Sequence, residues 1–279
     1  MFPYLMKKDT FSTHQYPLFV VPTLEIQLLS QKIIELSSKI TDLANKLPDV
    51  AHQQFYNEQL FNAIISTNEI EGIGTTRKDV AVAIDALNKD RKEKLKHKST
   101  VRMYLDILSE DYLNITELIH IREIYDALTS GEIEDEDQLD GELFRKDLVS
   151  IVNNKTGKIE HIAPSKEQTI KEMLKSWLDF INTETIPFLI KASLAHYFFE
   201  NVHPFYDGNG RTGRYILSKY LSRKLDKFSG LIISKKINED KAKYYKSFAE
   251  TGDTLNRADG TQFVQSMLSF IIKGQSEII

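Results

Sequence analysis

Phe188–Val202 reads FLIKASLAHYFFENV, with Pro187 immediately before it. Proline is favoured at a helix start, where its missing N–H would have no partner anyway. A helix apolar on nearly every side has no face for water, so this one belongs at the centre of a helical bundle. Working outward, Ser165 and Gln168 have capping-box spacing, and Ile170, Met173, Leu174, Trp177, Leu178 and Ile181 fall on one face of the helix they open. Beyond the central helix, helices are predicted over 215–225, 239–248 and 261–272. Before it, Ile26, Leu29, Ile33, Leu36, Ile40 and Leu43 define an amphipathic helix closed by Pro48. A second helix runs over 50–71 and is stopped by Gly72 and Gly74, a third covers 77–87, and helical patterning returns over 101–128. Leu148, Ile151 and Val152, then Asn153–Gly157, then Ile159 and Ile162 read as two short strands around a turn. The expectation is an all-α bundle with one β-hairpin.

Length and charge narrow the function classes. A chain of 279 residues suits one large domain, or a core with an appended helical region. Its 36 Lys and Arg against 40 Asp and Glu give a net charge of -4, so no broad basic field draws nucleic acid or an anionic membrane, and neither partner is expected. The run NKDRKEKLKHKS at 88–99 reads as a solvated helix end or linker, and the acidic SGEIEDEDQLDGE at 130–142 as a surface loop without chemistry. Cysteine is absent, which excludes disulfides, thiolate metal sites and cysteine nucleophiles. With no signal-peptide pattern and no run of roughly 18 apolar residues, a soluble cytoplasmic protein is expected.

The chemistry concentrates in His203-Pro-Phe-Tyr-Asp-Gly-Asn-Gly-Arg-Thr-Gly-Arg214. Gly208 and Gly210 permit backbone conformations that turn successive N–H groups toward one point, and the following helix directs its positive dipole end there. Arg211 and Arg214, three apart, can project over one side and supply forked donors to phosphate oxygens. Asp207 is a hard oxygen ligand of the kind Mg²⁺ uses when it bridges one carboxylate to substrate phosphates, so a nucleotide is implied. His203 has the pKa class of a general base near neutral pH. A plain turn with a core histidine is the blander reading; the coincidence of base, metal ligand, glycines and two arginines in twelve residues speaks against it.

This segment resembles the Fic family signature, His-Pro-Phe-x-(Asp/Glu)-Gly-Asn-Gly-Arg-x-x-Arg, at every defined position, and the resemblance runs from about Leu113 to the carboxyl end. It implies a Fic-type helical core over 111–279, preceded by an N-terminal helical region over 1–110. It also implies a protein adenylyltransferase that moves AMP from MgATP to a Ser, Thr or Tyr hydroxyl of a target protein. By that likeness His203 deprotonates the hydroxyl, Asp207 holds Mg²⁺, Gly208, Asn209 and Gly210 cradle the α- and β-phosphates with help from Arg211, and Arg214 binds the γ-phosphate. The hairpin at 147–162 corresponds to the family's flap, along which the target would lie by strand addition. Tyr244 and Tyr245 are candidates for adenine contact or core packing.

Leu60, Ile64, Thr67 and Glu71 fall in one helical stripe, which predicts a carboxylate on a buried face at the helix's negative end, a position that calls for a cationic partner. Solvation of a frayed end is the alternative. Thr67-Asn68-Glu69-Ile70-Glu71-Gly72 also resembles the family's inhibitory motif, (Ser/Thr)-x-x-x-Glu-(Gly/Asn), as in members whose brake lies in the same chain. Thr67 and Glu71 are thereby implied as inhibitory residues, with Glu71 expected to pair with Arg214 and deny it to the γ-phosphate. Two rivals stay open: removal of AMP from a modified protein at the same site, and a nucleotide-sensing module without turnover. The oligomeric state is also open, a homodimer included.

Overall fold

The computed structural model describes residues 4–5, 16–90, 95–107, 114–152, 157 and 159–279. Among them are eleven α-helices and two small antiparallel sheets. α1 (Leu24–Ala44), α2 (Asp49–Ile70), α3 (Arg77–Asn88) and α4 (Lys98–Asp106) precede α5 (Leu118–Thr129). α6 (Glu167–Asn182) and α7 (Phe188–Val202) lead into α8 (Asn209–Lys224), α9 (Lys227–Glu239), α10 (Lys241–Gly252) and α11 (Thr261–Ile278).

α7 is the axis, as its sequence demands: Leu189, Leu194, Tyr197, Phe198 and Val202, which point to different sides, are all buried. Trp177 of α6 packs under it and donates its indole N–H to Ala195 O at 2.8 Å, which gives a buried ring its required polar partner. α8 follows on the other flank and α11 along a third. The N-terminal helices join the same core, α1 against α11 and α2 along α9, with Ile33, Ile40, Leu60 and Ile64 fully interior. The expected boundary at 110–111 lies outside the described residues, as do residues 91–94 of the basic run and residues 153–156 of the hairpin turn.

Four local expectations need correction. The box of Ser165 and Gln168 does not form: α6 begins at Glu167 behind Lys166 at φ 73°, without a side-chain cap. Glu167 instead turns its carboxylate to the main-chain N–H groups of Leu143 and Phe144, at 2.6 and 3.1 Å, and so fixes the preceding loop. α8 starts at Asn209, six residues before 215, because Gly208 at φ +78° lets the chain enter the helix inside the motif itself. α9 was not expected, since Ser229, Gly230 and Ser234 interrupt its apolar pattern. Those small residues bring α9 against α8: a carbon added at Gly230 would lie 2.4 Å from Ser218 O. The hairpin is also not the only sheet: β1 (Tyr4–Leu5) pairs antiparallel with β2 (Phe19–Val20), which is tied to the start of α11 through Phe19 N–H to Ala258 O and Gly260 N–H to Phe19 O.

The predicted hairpin is β3 (Ser150–Val152) with β4 (Ile159–Ile162), registered Ser150 to Ile162 and Ile151 to His161, with an irregularity after Ile151. No helix among the described residues is long and apolar enough to cross a membrane.

Candidate active site

His203 ends α7 in the left-handed conformation, φ 48° and ψ 61°, while its own N–H still closes on Phe199 O. This turn carries the chain out of the bundle and leaves the imidazole half-buried at the helix terminus. Nδ1 lies 3.1 Å from Glu200 O. A carbonyl only accepts, so Nδ1 holds the proton and Nε2 is left as the acceptor, the tautomer a base requires. Burial is the main cause that lowers the His203 pKa, to about 4, with a minor contribution from the Arg145 charge, so the ring is neutral at physiological pH.

Between His203 and α8 the loop is over-determined. Phe205 stacks on Tyr125 with ring centroids 3.7 Å apart. The Asn209 side chain accepts from Phe205 N–H at 2.9 Å and donates to Phe205 O at 2.8 Å, so its amide shapes the loop and only its main chain faces outward chemistry. Gly208 allows no side chain: besides its positive φ, an added carbon would lie 2.9 Å from Thr129 Cγ2. A left-handed residue followed by a helical first turn aims N–H groups at one spot. A carboxylate packs beside this turn: a carbon built on Gly210 would be 2.2 Å from Glu71 Oε1.

The two arginines part company. Arg211, 1% exposed, pairs with Glu132 at 2.7 Å and with Asp207 at 3.0 Å. It thereby holds the half-exposed Asp207 carboxylate in place rather than standing beside Arg214. Arg214, also buried, donates from Nε to Thr67 Oγ1 and from Nη2 to Thr67 O, both at 3.0 Å, and from Nη2 to Glu71 Oε1 at 2.6 Å. Burial is the largest single influence and works against its charge, yet Glu71, Tyr244 and Glu200 together outweigh it and the guanidinium pKa lies above its ordinary value. Leu60, Ile64 and Thr67 are fully interior, as their stripe predicts, but Glu71 is not: its side chain is 29% exposed, because α2 ends at Ile70 and Glu71 caps it at the rim. Its location is thus less costly than expected, and the cationic partner is there.

Sequence reasoning missed Glu132, which looked like one more acid of a surface loop and carries no distinguishing signal. It missed Glu200 and His196 despite a readable signal, titratable side chains set in the apolar second half of the central helix. Desolvation raises the Glu200 pKa to about 8 and lowers that of His196 to about 3. His196 Nε2 meets Tyr244 OH at 2.7 Å, which makes Tyr244 a core residue. Tyr245 is 51% exposed and close enough to Glu71 for that charge to raise its pKa further, after burial. The hairpin carries Leu148, Val152, Ile159 and Ile162 exposed. Among the described residues no cluster of three or more His, Asp or Glu could hold a metal by itself, so a cation here would need oxygens from a ligand beside Asp207.

Residues 112–221 match the family model described as Fic/DOC family. Over that segment the chain is similar to Fic/DOC domains. Protein adenylyltransferase fic-1 of Caenorhabditis elegans is 36% identical to it over 100 residues, 34% of this chain and 19% of that protein. Protein adenylyltransferase Fic of Drosophila melanogaster is 24% identical over 209 residues, 73% of this chain and 39% of that protein. The chain therefore matches less than half the length of these curated relatives. A Fic family protein from Desulfovibrio desulfuricans superposes with TM-score 0.71 at 22% identity, covering 92% of this chain and 74% of its own. At that identity the likeness concerns the fold, in which the Fic domain supplies α5 to α8 and the hairpin.

Proposed function

We propose that this protein is a MgATP-dependent protein adenylyltransferase restrained by Glu71. The observation that carries the reading is the Glu71 carboxylate seated over Gly210 and bonded to Arg214: an anion-binding site is already holding an anion. A triphosphate would take the same donors, with its innermost phosphates over the Gly208–Gly210 turn and its outermost group on Arg214. Asp207, steadied by Arg211, fits a single-carboxylate site for Mg²⁺ shared with phosphate oxygens, where the ion would neutralise charge on the leaving pyrophosphate. His203 Nε2 accepts the proton of a target hydroxyl, whose oxygen attacks the α-phosphorus; the bond to the bridging oxygen breaks and pyrophosphate departs. The exposed apolar hairpin supports docking of the target as an added strand. The curated relatives' name, protein adenylyltransferase, supports this reading.

The test is incubation of native, Glu71→Gly and His203→Ala proteins with α-phosphate-labelled ATP, magnesium and a cell lysate. Label on lysate proteins or on the chain itself, stronger in Glu71→Gly and lost in His203→Ala, is expected. No label in any form would leave a nucleotide sensor. Loss of label from pre-modified protein by the native form would mark the reverse reaction.

A further inference from the structure

The end of α7 leaves main-chain carbonyls with no partner inside the helix. From Glu200 to His203 each of the four accepts from a side chain. Glu200 O takes His203 Nδ1–H, and Asn201 O lies 2.7 Å from His161 Nε2, which must donate. Val202 O takes Arg145 Nη2 at 3.2 Å and His203 O takes Arg145 Nε at 2.7 Å. The remaining Arg145 nitrogen, Nη1, bonds Asp147 O at the root of the hairpin, while Arg145 N–H bonds Pro204 O at 3.1 Å and Asp147 N–H bonds Tyr206 OH at 3.0 Å. Arg145 is fully buried, and burial lowers its pKa to about 10. A buried guanidinium spent on three carbonyls is an expensive way to end a helix, unless the geometry it fixes is useful.

One of these capping side chains, His161, comes from the segment expected to bind the target, Arg145 stands just before that segment, and the third is the base. We infer that Arg145 and His161 are positioning residues that lock the hairpin and the His203 imidazole into one unit, so that an acceptor strand seated on the hairpin is set against Nε2. The inference rests on the adenylyltransferase reading above for its purpose, but the coupling itself is measurable without turnover. The charged groups around the imidazole are Arg145 before β3, His161 on β4 and Glu71 at the end of α2. If His161 lets go, the hairpin loses one of its ties to α7 and water reaches the ring from that side.

The experiment is an NMR titration of ring-nitrogen-labelled His203 in the full chain, with MgATP affinity by calorimetry on a Glu71→Gly background, for His161→Ala, His161→Gln and Arg145→Lys. In His161→Ala, His203 is expected to titrate well above about 4, toward the ordinary value of about 6.5. The acid limb of the self-labelling rate should move with it, and the Kd for MgATP should change less than about twofold, a few tenths of a kcal/mol. His161→Gln, which keeps a donor, should restore both. An unmoved His203 titration in His161→Ala and in Arg145→Lys would overturn the coupling, and so would a parallel loss of MgATP affinity, which would mean a general collapse. Absence of labelling with the titration shifted as expected would instead reject the adenylyltransferase reading and keep the mechanical link.

Discussion

The motif loop and the hairpin are neighbours built on opposite principles. In the loop, Asn209, Arg211, Phe205 and Gly208 are each fixed by at least one independent contact, most of them buried, and the one partner at the rim is Glu71. In the hairpin, two short strands leave Val152, Ile159 and Ile162 exposed, and among the described residues no further strand joins their sheet. A rigid site can be complementary to one transition state, whereas an open edge accepts any segment able to pair with it. Under the proposed function, the difference teaches that the chemistry would be built into the fold, while choice of target would be left to a surface completed by the target.

The strongest way to break this contrast is to attack the loop's reactive atom. His203→Ala should reduce labelling on the order of 10²- to 10⁴-fold, the range for a general base, with MgATP affinity kept. In the Glu71→Gly form the rate should hold level from about pH 8 to pH 5 and fall as the pH approaches about 4, because the base is lost when the ring gains a proton. Glu71→Gly itself should raise labelling about 5- to 150-fold, the usual span of a coupling between two competing occupants, and calorimetry should show tighter MgATP binding. Gly208→Ala should lower stability by about 1–3 kcal/mol, seen as a fall in Tm, since it strains a left-handed turn and meets Thr129. The hairpin should respond oppositely: Val152→Ser should move stability by no more than about 0.5 kcal/mol while weakening labelling of lysate proteins. Equal stability losses at Gly208 and Val152 would erase the distinction.

Buried Glu200 offers a separate check on the loop's interior. Its raised pKa means that its stabilising, protonated state is fully present below about 4.5 and is lost as pH rises toward about 8. Glu200→Gln, which cannot ionise, should therefore gain in Tm relative to the native chain as pH climbs through that window.

What the sequence made legible follows the same division. α7 and the stripe of α2 could be read because continuous apolar character and a 3.6-residue period report burial directly. The motif could be read because its residues are adjacent in the chain. Glu132 and Arg145 could not: one reaches Arg211 across 79 positions and the other reaches Val202 and His203 across 57 and 58, and pairing over such separations leaves no local pattern. α9 was hidden by the small residues that close packing on α8 requires. Glu71 was placed correctly beside a cation but too deep, since periodicity does not reveal that a helix stops one residue earlier.

The anchoring of α2 limits how Arg214 can be set free. Glu69, two residues before Glu71, is gripped by Asn238 at 2.6 Å and by Lys241 at 3.2 Å, and Leu60, Ala63 and Ile64 lie wholly in the interior. Withdrawing the helix would expose several side chains worth about 1.5–3 kcal/mol each, more than a competing nucleotide could readily supply. Gly72, at φ +77° with open space around it, stands right after the cap. Under the proposed restraint, exchange of one anion for another would need only a single carboxylate to swing out at the end of α2, and its speed should be that of a side chain rather than that of a moving domain.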